Sequence, residues 1–259
     1  METTLEVRWF FRGLPPAVVQ RWFRLECPGK LLETEIRTDL YASITPGHLD
    51  IIAEFLSLRL SHEQVNLKSR QENLELKLRQ QDFGTYRFSN SKQSRICEGR
   101  VEQWCKLSDR QLLNSVLPCN SPPEINWINV NKEREQKIEQ GVKSELTWLK
   151  CDKPDGQGVS PDRRREREAF MSATQTLGHT PRTIGDATAS RASLRETWWT
   201  VAFEITQNKF NSQQDRRFQN VVKRACQTYS GPQLLAANSF GYSQWLLKSV
   251  PQNVSRSNR

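Results

Sequence analysis

The sequence predicts an α+β fold built on one antiparallel β-sheet that is closed or strongly curved, and three observations predict it. Strand-like segments follow one another through hairpin-like breaks with a few helical stretches between, not in regular strand–helix alternation. The polar parity of these segments carries Arg, Lys and Glu with few Ser or Thr. Aromatic residues occupy both parities of the first and last strands: Trp9 and Phe11 lie opposite Phe10, and Trp199 and Phe203 opposite Trp198. A strand apolar on both sides needs cover on both sides, which suits a barrel coated by helices with a partly polar interior.

The elements follow in order. Residues 5–11, LEVRWFF, are rich in β-branched and aromatic residues and read as a strand. Pro15-Pro16 then suits a helix start, and Val18, Val19, Trp22 and Phe23 recur at helical spacing. LLETEIRTDLYAS is a strand with Glu35, Arg37 and Asp39 on one parity, ended by Pro46-Gly47. HLDIIAEFLSLRL fits a short amphipathic helix or a strand. VNLKSRQENLELKLRQQ breaks at Gln71-Glu72-Asn73 and reads as a hairpin, its second arm placing Leu74, Leu76 and Leu78 opposite Glu75, Lys77 and Arg79. FGTYRFSNSKQSRICEG reads as a polar loop. GRVEQWCK is a strand with Arg100, Glu102 and Lys106 on one parity, and DRQLLNSVLPCN adds a helical turn before Pro122-Pro123.

INWINVNKEREQKI begins as a strand, although EREQKIEQ fits a helix equally. KSELTWLK alternates again. Residues 151–195 change character: they are rich in Gly, Pro, Ser, Thr and Arg with little apolar periodicity, and read as a mobile insertion. ETWWTVAFEIT resumes as a strand. Phe218, Val221, Val222 and Ala225 mark a helix over 213–229, SFGYSQWLLKSV is a short amphipathic piece, and the tail from about 251 is expected to be disordered. The expected organisation is one domain over 1–259, interrupted by the insertion.

Composition narrows the functional classes. A net charge of +9 favours an anionic partner. No apolar run approaches the roughly 18 residues of a membrane-spanning helix, and METTLEVRWFFRG does not read as a secretory signal, so a cytoplasmic protein with no membrane partner is expected. The six cysteines lack zinc-ligand spacing and read as reduced thiols. There is no phosphate-binding GxxxxGK[ST] loop and no GxSxG nucleophile motif. For any single strand an ordinary wet face explains the charge alternation, through cross-strand ion pairs worth about 0.2–1 kcal/mol each. For the set, a charged and enclosed interior explains it differently.

The order LEVRWFF, ETEIRTDLYA with its Arg-x-Asp-x-Tyr pattern, the NLKSR/LELKLR hairpin, GRVEQWCK, SELTWLK and TWWTVAFEIT resembles the CYTH superfamily over roughly residues 4–247. These are the triphosphate tunnel proteins, among them adenylyl cyclases of one class and thiamine triphosphatases. The resemblance implies an eight-stranded antiparallel tunnel whose inward cations bind a triphosphate and whose inward glutamates hold Mg2+ or Mn2+. It further implies metal-dependent triphosphatase chemistry. Carried onto this chain, anion binding falls on Arg8, Arg37, Lys68, Arg70, Lys77, Arg79, Arg100 and Lys106, and metal binding on Glu6, Glu102 and Glu204. The chain departs from the family at its opening strand. The family's Glu-x-Glu-x-Lys is here Glu6, Arg8 and Phe10, and neither Glu145 nor Glu204 has a second Glu two residues away. A cation in place of a carboxylate weakens divalent binding, so the expectation is a tunnel for a triphosphate, polyphosphate or related polyanion with weak or absent hydrolysis. The alternative is a binding or scaffold protein whose basic surface, including RRRERE at 163–168, contacts nucleic acid or an acidic partner. Charge parity discriminates: the tunnel needs its cations inward, and nucleic acid needs them outward and contiguous.

Overall fold

The computed structural model describes residues 2–42, 44, 46–70, 73–88, 95–108, 127–152, 197–207 and 212–249. Nine strands form one antiparallel sheet: β1 (Glu2–Arg12), β2 (Lys30–Leu31), β3 (Glu35–Ala42), β4 (Val65–Arg70), β5 (Asn73–Arg87), β6 (Glu98–Leu107), β7 (Trp127–Glu139), β8 (Val142–Asp152) and β9 (Thr197–Gln207). Their order is β2-β7-β3-β4-β5-β6-β1-β9-β8, and β7 also pairs with β8, so eight strands close into a ring. The two-residue β2 lies on β7 beside β3. With the ring closed, its inside and outside become distinct solvents for alternate residues. The predicted α+β class with a closed antiparallel sheet is what the chain adopts.

The outside is the apolar face. Leu5, Val7 and Trp9 of β1, Leu146 of β8 and Val201, Phe203 and Ile205 of β9 pack with helices α1 (Ala17–Leu25) and α3 (Ser212–Thr228) in the largest core. Val19, Trp22 and Phe23 are the buried stripe of α1, which starts directly after Pro16 with φ −57°. Trp22 Nε1 donates to Thr228 Oγ1 at 3.1 Å and ties the two helices together. Helix α2 (Pro46–Leu56) covers β4 and β5 through Leu49 and Ile52 against Val65, Leu67, Leu76 and Leu78. The undecided HLDIIAEFL segment is therefore helical. Gly99 leaves room for the outward ring of Trp9, since a Cβ there would collide with it.

Helix α4 (Tyr242–Ser249) does something else. Ser239 bridges to Trp9, Phe240 N donates to Arg8 O at 3.2 Å, and the chain then turns into one end of the ring. There Trp245 and Leu246 join Phe10, Tyr41, Ile128, Val130, Leu149, Cys151, Trp198 and Phe240 in a separate apolar cluster built from inward-facing positions. The short amphipathic piece is thus a plug.

Several expectations are corrected. The first part of the polar loop expected over 83–99 is strand instead: β5 continues to Arg87, carried through register shifts at Arg79/Gln81 and Asp82/Thr85 that let a long strand bend. EREQKIE is strand to Glu139, and the hairpin to β8 turns at Gln140 and Gly141, both at positive φ. Cys151 and Asp152 belong to β8; the rest of the expected insertion, the helical turn after Asp109 and the tail from 251 lie outside the described residues. Cys97 and Cys226, read as thiols, are joined by a disulfide with Cα atoms 6.3 Å apart, because the start of β6 packs against α3. Cys27, Cys105 and Cys151 are buried and lie outside that disulfide. No described helix is long and apolar enough to cross a membrane.

Candidate functional site

Inside the ring lies a cavity of about 290 Å3 lined almost wholly by polar side chains. Eight cations reach it: Arg8, Arg37, Lys68, Lys77, Lys106, Lys132, Arg134 and Lys143. Six carboxylates line it with them: Glu2, Glu6, Glu35, Glu75, Glu145 and Glu204. Thr4, Tyr41, Asn66, Gln136 and Tyr242 complete the wall. Strand parity is what places them. On β1 the residues Thr4, Glu6 and Arg8 face in while Leu5, Val7 and Trp9 face out, and the same alternation runs through β3, β5, β8 and β9.

The charges are organised around Arg8. Its guanidinium sits between two carboxylates, with Nε donating to Glu6 Oε1 at 2.9 Å and Nη2 to Glu145 Oε2 at 3.1 Å, while Nη1 donates to Thr200 Oγ1 at 3.2 Å. Arg134 Nη1 reaches Glu145 Oε1 at 3.2 Å. Burial opposes ionisation of Glu145, yet Arg134 and Arg8 outweigh it and hold the carboxyl well below its usual range. Glu6 is lowered in the same way by Arg8 and Lys77 against its own burial. A second group surrounds Asp39, which is fully buried beneath the cavity. Lys132 Nζ lies 2.9 Å and Arg37 Nε 3.3 Å from its two oxygens. Despite burial, Lys132, Lys68 and Arg37 hold Asp39 down to about 2.

Arg37 has Glu35 and Lys68 has Glu75 as further partners, whereas Lys132 pairs with Asp39, and burial leaves both amines under-compensated. Burial first, then Arg134 and Arg37, push Lys132 down to about 7 against the pull of Asp39. Burial and then Lys132 push Lys68 down to about 8, although Glu75 lies 2.8 Å from its Nζ. Three polar atoms of the wall, Thr4 Oγ1, Asn66 Oδ1 and Arg134 Nε, are buried with no hydrogen-bond partner among the described residues. In a folded protein such atoms are uncommon and point to a ligand or solvent in the space they face.

Of the residues predicted from sequence, Glu6, Arg8, Arg37, Lys68, Lys77, Lys106 and Glu204 line this cavity together. Arg79, Arg100 and Glu102 do not. Arg79 Nη1 is 2.7 Å from Glu102 Oε1, Arg100 Nε donates to Asp82 Oδ2 at 2.8 Å, and the indole of Trp104 donates to Glu102 at 3.2 Å. That cluster satisfies itself on β5 and β6 where the register shifts. The side chain of Arg70 and the run 163–168 lie outside the described residues.

Sequence reasoning missed Lys132, Arg134, Lys143 and Tyr242. Strand β7 carries Ile128 and Val130 on its inward parity, but from Asn131 to Lys137 both parities are polar, so no apolar residue orients that stretch. Its outward Glu135 accepts from Arg24 Nε at 3.0 Å, and Lys137 Nζ donates to the carbonyls of Arg24 and Cys27 at 3.0 and 2.7 Å. Alternation of charge sign, Lys132–Glu133–Arg134–Glu135, was the available signal: like-signed residues two apart share a face.

Several carboxylates that a divalent cation would draw on are already paired with cations. The position between Glu6 and Glu145 is taken by a guanidinium, Glu75 is 2.8 Å from Lys68 and 3.0 Å from Lys106, and Glu102 is 2.7 Å from Arg79. Among the described residues no three His, Cys, Asp or Glu side chains gather as a metal cluster.

No family model and no curated protein matches this chain. Among solved structures it is similar to a conserved hypothetical protein from Pyrococcus furiosus, at 9% identity and a TM-score of 0.36 over 93% of this chain and 98% of that one.

Proposed function

We propose that this protein binds a compact polyanion bearing several phosphates, such as tripolyphosphate or an organic triphosphate, inside the ring, in the manner of a CYTH-like tunnel that has lost metal-dependent hydrolysis. The observation that carries the reading is the convergence of eight cations on one enclosed cavity with unpartnered polar atoms in its wall. Cations fixed in a low-dielectric interior bind phosphate oxygens more strongly than exposed ones do. The carboxylates keep the cations apart and ionised until a ligand competes for them. Arg8 supplies, between Glu6 and Glu145, the positive charge that a metal would otherwise bring.

Thermal unfolding with and without tripolyphosphate tests this. At 100 times its dissociation constant the ligand stabilises the protein by about 2.7 kcal/mol, and the shift persists in chelator. Arg134→Gln, checked by circular dichroism for an intact fold, removes it, whereas Arg79→Gln retains it because Arg79 is outside the cavity. A shift that requires Mg2+ or Mn2+, with release of phosphate, would overturn the metal-free reading.

A second reading rests on α3, which turns Arg216, Arg217 and Lys223 to solvent along one side. Such a stripe fits nucleic-acid phosphates. Under this reading, replacing the three by Gln lowers the slope of log affinity against log salt by roughly one per residue and leaves tripolyphosphate binding unchanged. An unaltered slope removes it.

A further inference from the structure

The cavity is graded from one end to the other. Toward the start of β1 and β3 its side chains are part-exposed, with Glu35 at 29% and Lys106 at 30%. At the other end Arg8 is at 4% and Lys132 at 1%. Beyond them the ring is filled among the described residues: Phe10 lies stacked between Phe240 and Trp245, at 5.0 and 5.4 Å between ring centroids, and Trp198 packs edge-on against Trp245. Tyr242, the first residue of α4, forms the floor. Arg8 Cζ is 4.8 Å and Lys132 Nζ 4.1 Å from the centre of its ring; the residue lines the cavity, and its buried hydroxyl has no hydrogen-bond partner among the described residues.

We propose that the cavity has a single mouth, and that Tyr242 with Arg8, Lys132 and Arg134 reads the free end of the polyanion. This rests on the polyanion reading above and goes beyond it, because it selects among polyanions by their termini. A phosphate chain enters end-on. Its terminal group carries more charge and more unshared oxygens than an internal one held by two anhydride bonds, and so matches a floor that concentrates cations and a phenolic donor. A chain capped at both ends presents no such group and meets the aromatic plug with a bulky substituent instead. An organic triphosphate leaves its organic part at the mouth.

The test is calorimetric titration of the full chain in chelator with three ligands: tripolyphosphate, ATP and diadenosine tetraphosphate. The last has more phosphates than ATP but no free end. Tripolyphosphate and ATP are expected to bind, and diadenosine tetraphosphate to bind roughly tenfold more weakly or worse. Tyr242→Phe keeps the ring and the plug but removes the hydroxyl; it is expected to weaken ATP roughly tenfold and to leave the capped ligand unchanged. Equal affinity for ATP and the capped compound in the native chain overturns the reading of termini while sparing the polyanion site. Failure of all three ligands to bind overturns both.

Discussion

Arg8→Ala is expected to destabilise the protein by about 3–5 kcal/mol, the cost of stranding buried charge without its partner. Glu6 and Glu145 are 7% and 2% exposed, and the guanidinium is within 3.1 Å of both. Arg134 and Lys77 remain near them, at 3.2 and 3.7 Å, and keep the loss from running higher. Arg8→Met with Glu6→Gln and Glu145→Gln removes the two stranded carboxylates but takes them from Arg134 and Lys77 as well, so it should restore only part of the stability. Urea unfolding of the single and triple variants measures both. A single-variant loss under about 1 kcal/mol would mean the interior is wet enough to screen these charges.

Affinity for tripolyphosphate is expected to fall roughly a hundredfold between pH 7 and pH 9. Lys132, pushed down to about 7, and Lys68, pushed down to about 8, lose their protons across this window in the free protein. A polyanion favours the ammonium forms, so binding takes up protons, and each uptake reduces affinity as pH rises. Stability of the ligand-free protein runs the other way. The unfolded chain holds these protons up to 10.5 and the folded one releases them earlier, so stability increases with pH from about 7 toward 10.5 for Lys132 and from about 8 for Lys68. Titration in buffers of different ionisation heat measures the uptake, and Lys132→Arg, which keeps its charge, should flatten most of the pH dependence. An affinity constant over pH 7–9 in the native chain would sink this account.

Alternation made most of the ring legible. ENLELKLRQ gave a strand and its faces at once, because three leucines on one parity leave the charges nowhere but the other. Trp198 and Trp199 on opposite parities required cover on both sides, and both found it, Trp198 against Trp245 of the plug and Trp199 in the core beneath α1 and α3. The site was legible only where an apolar parity oriented its strand. The stretch of β7 over 131–137 lacks one, since its outward charges are satisfied by α1, a partner far away in sequence. Arg79 and Arg100 were misplaced for the opposite reason: their parity was right, but register shifts in β5 and the neighbouring Asp82 and Glu102 diverted them into a closed cluster. Tyr242 carried no local signal, because its role depends on where the chain turns after Phe240.

The pairing of β1 with β9 has a consequence for how the molecule is made. Glu6 lies opposite Glu204 and Val7 opposite Phe203, so the first strand of the ring waits for the last. Loop closure over such a separation is slow, and on the ribosome β1 has both hydrogen-bonding edges open until β6 emerges and one open until β9 does. The charged residues that later line the cavity then stand on an open sheet in water, where alternating Glu, Arg and Lys discourage pairing with another chain. The same side chains thus guard the nascent sheet from aggregation before the ring shuts around them.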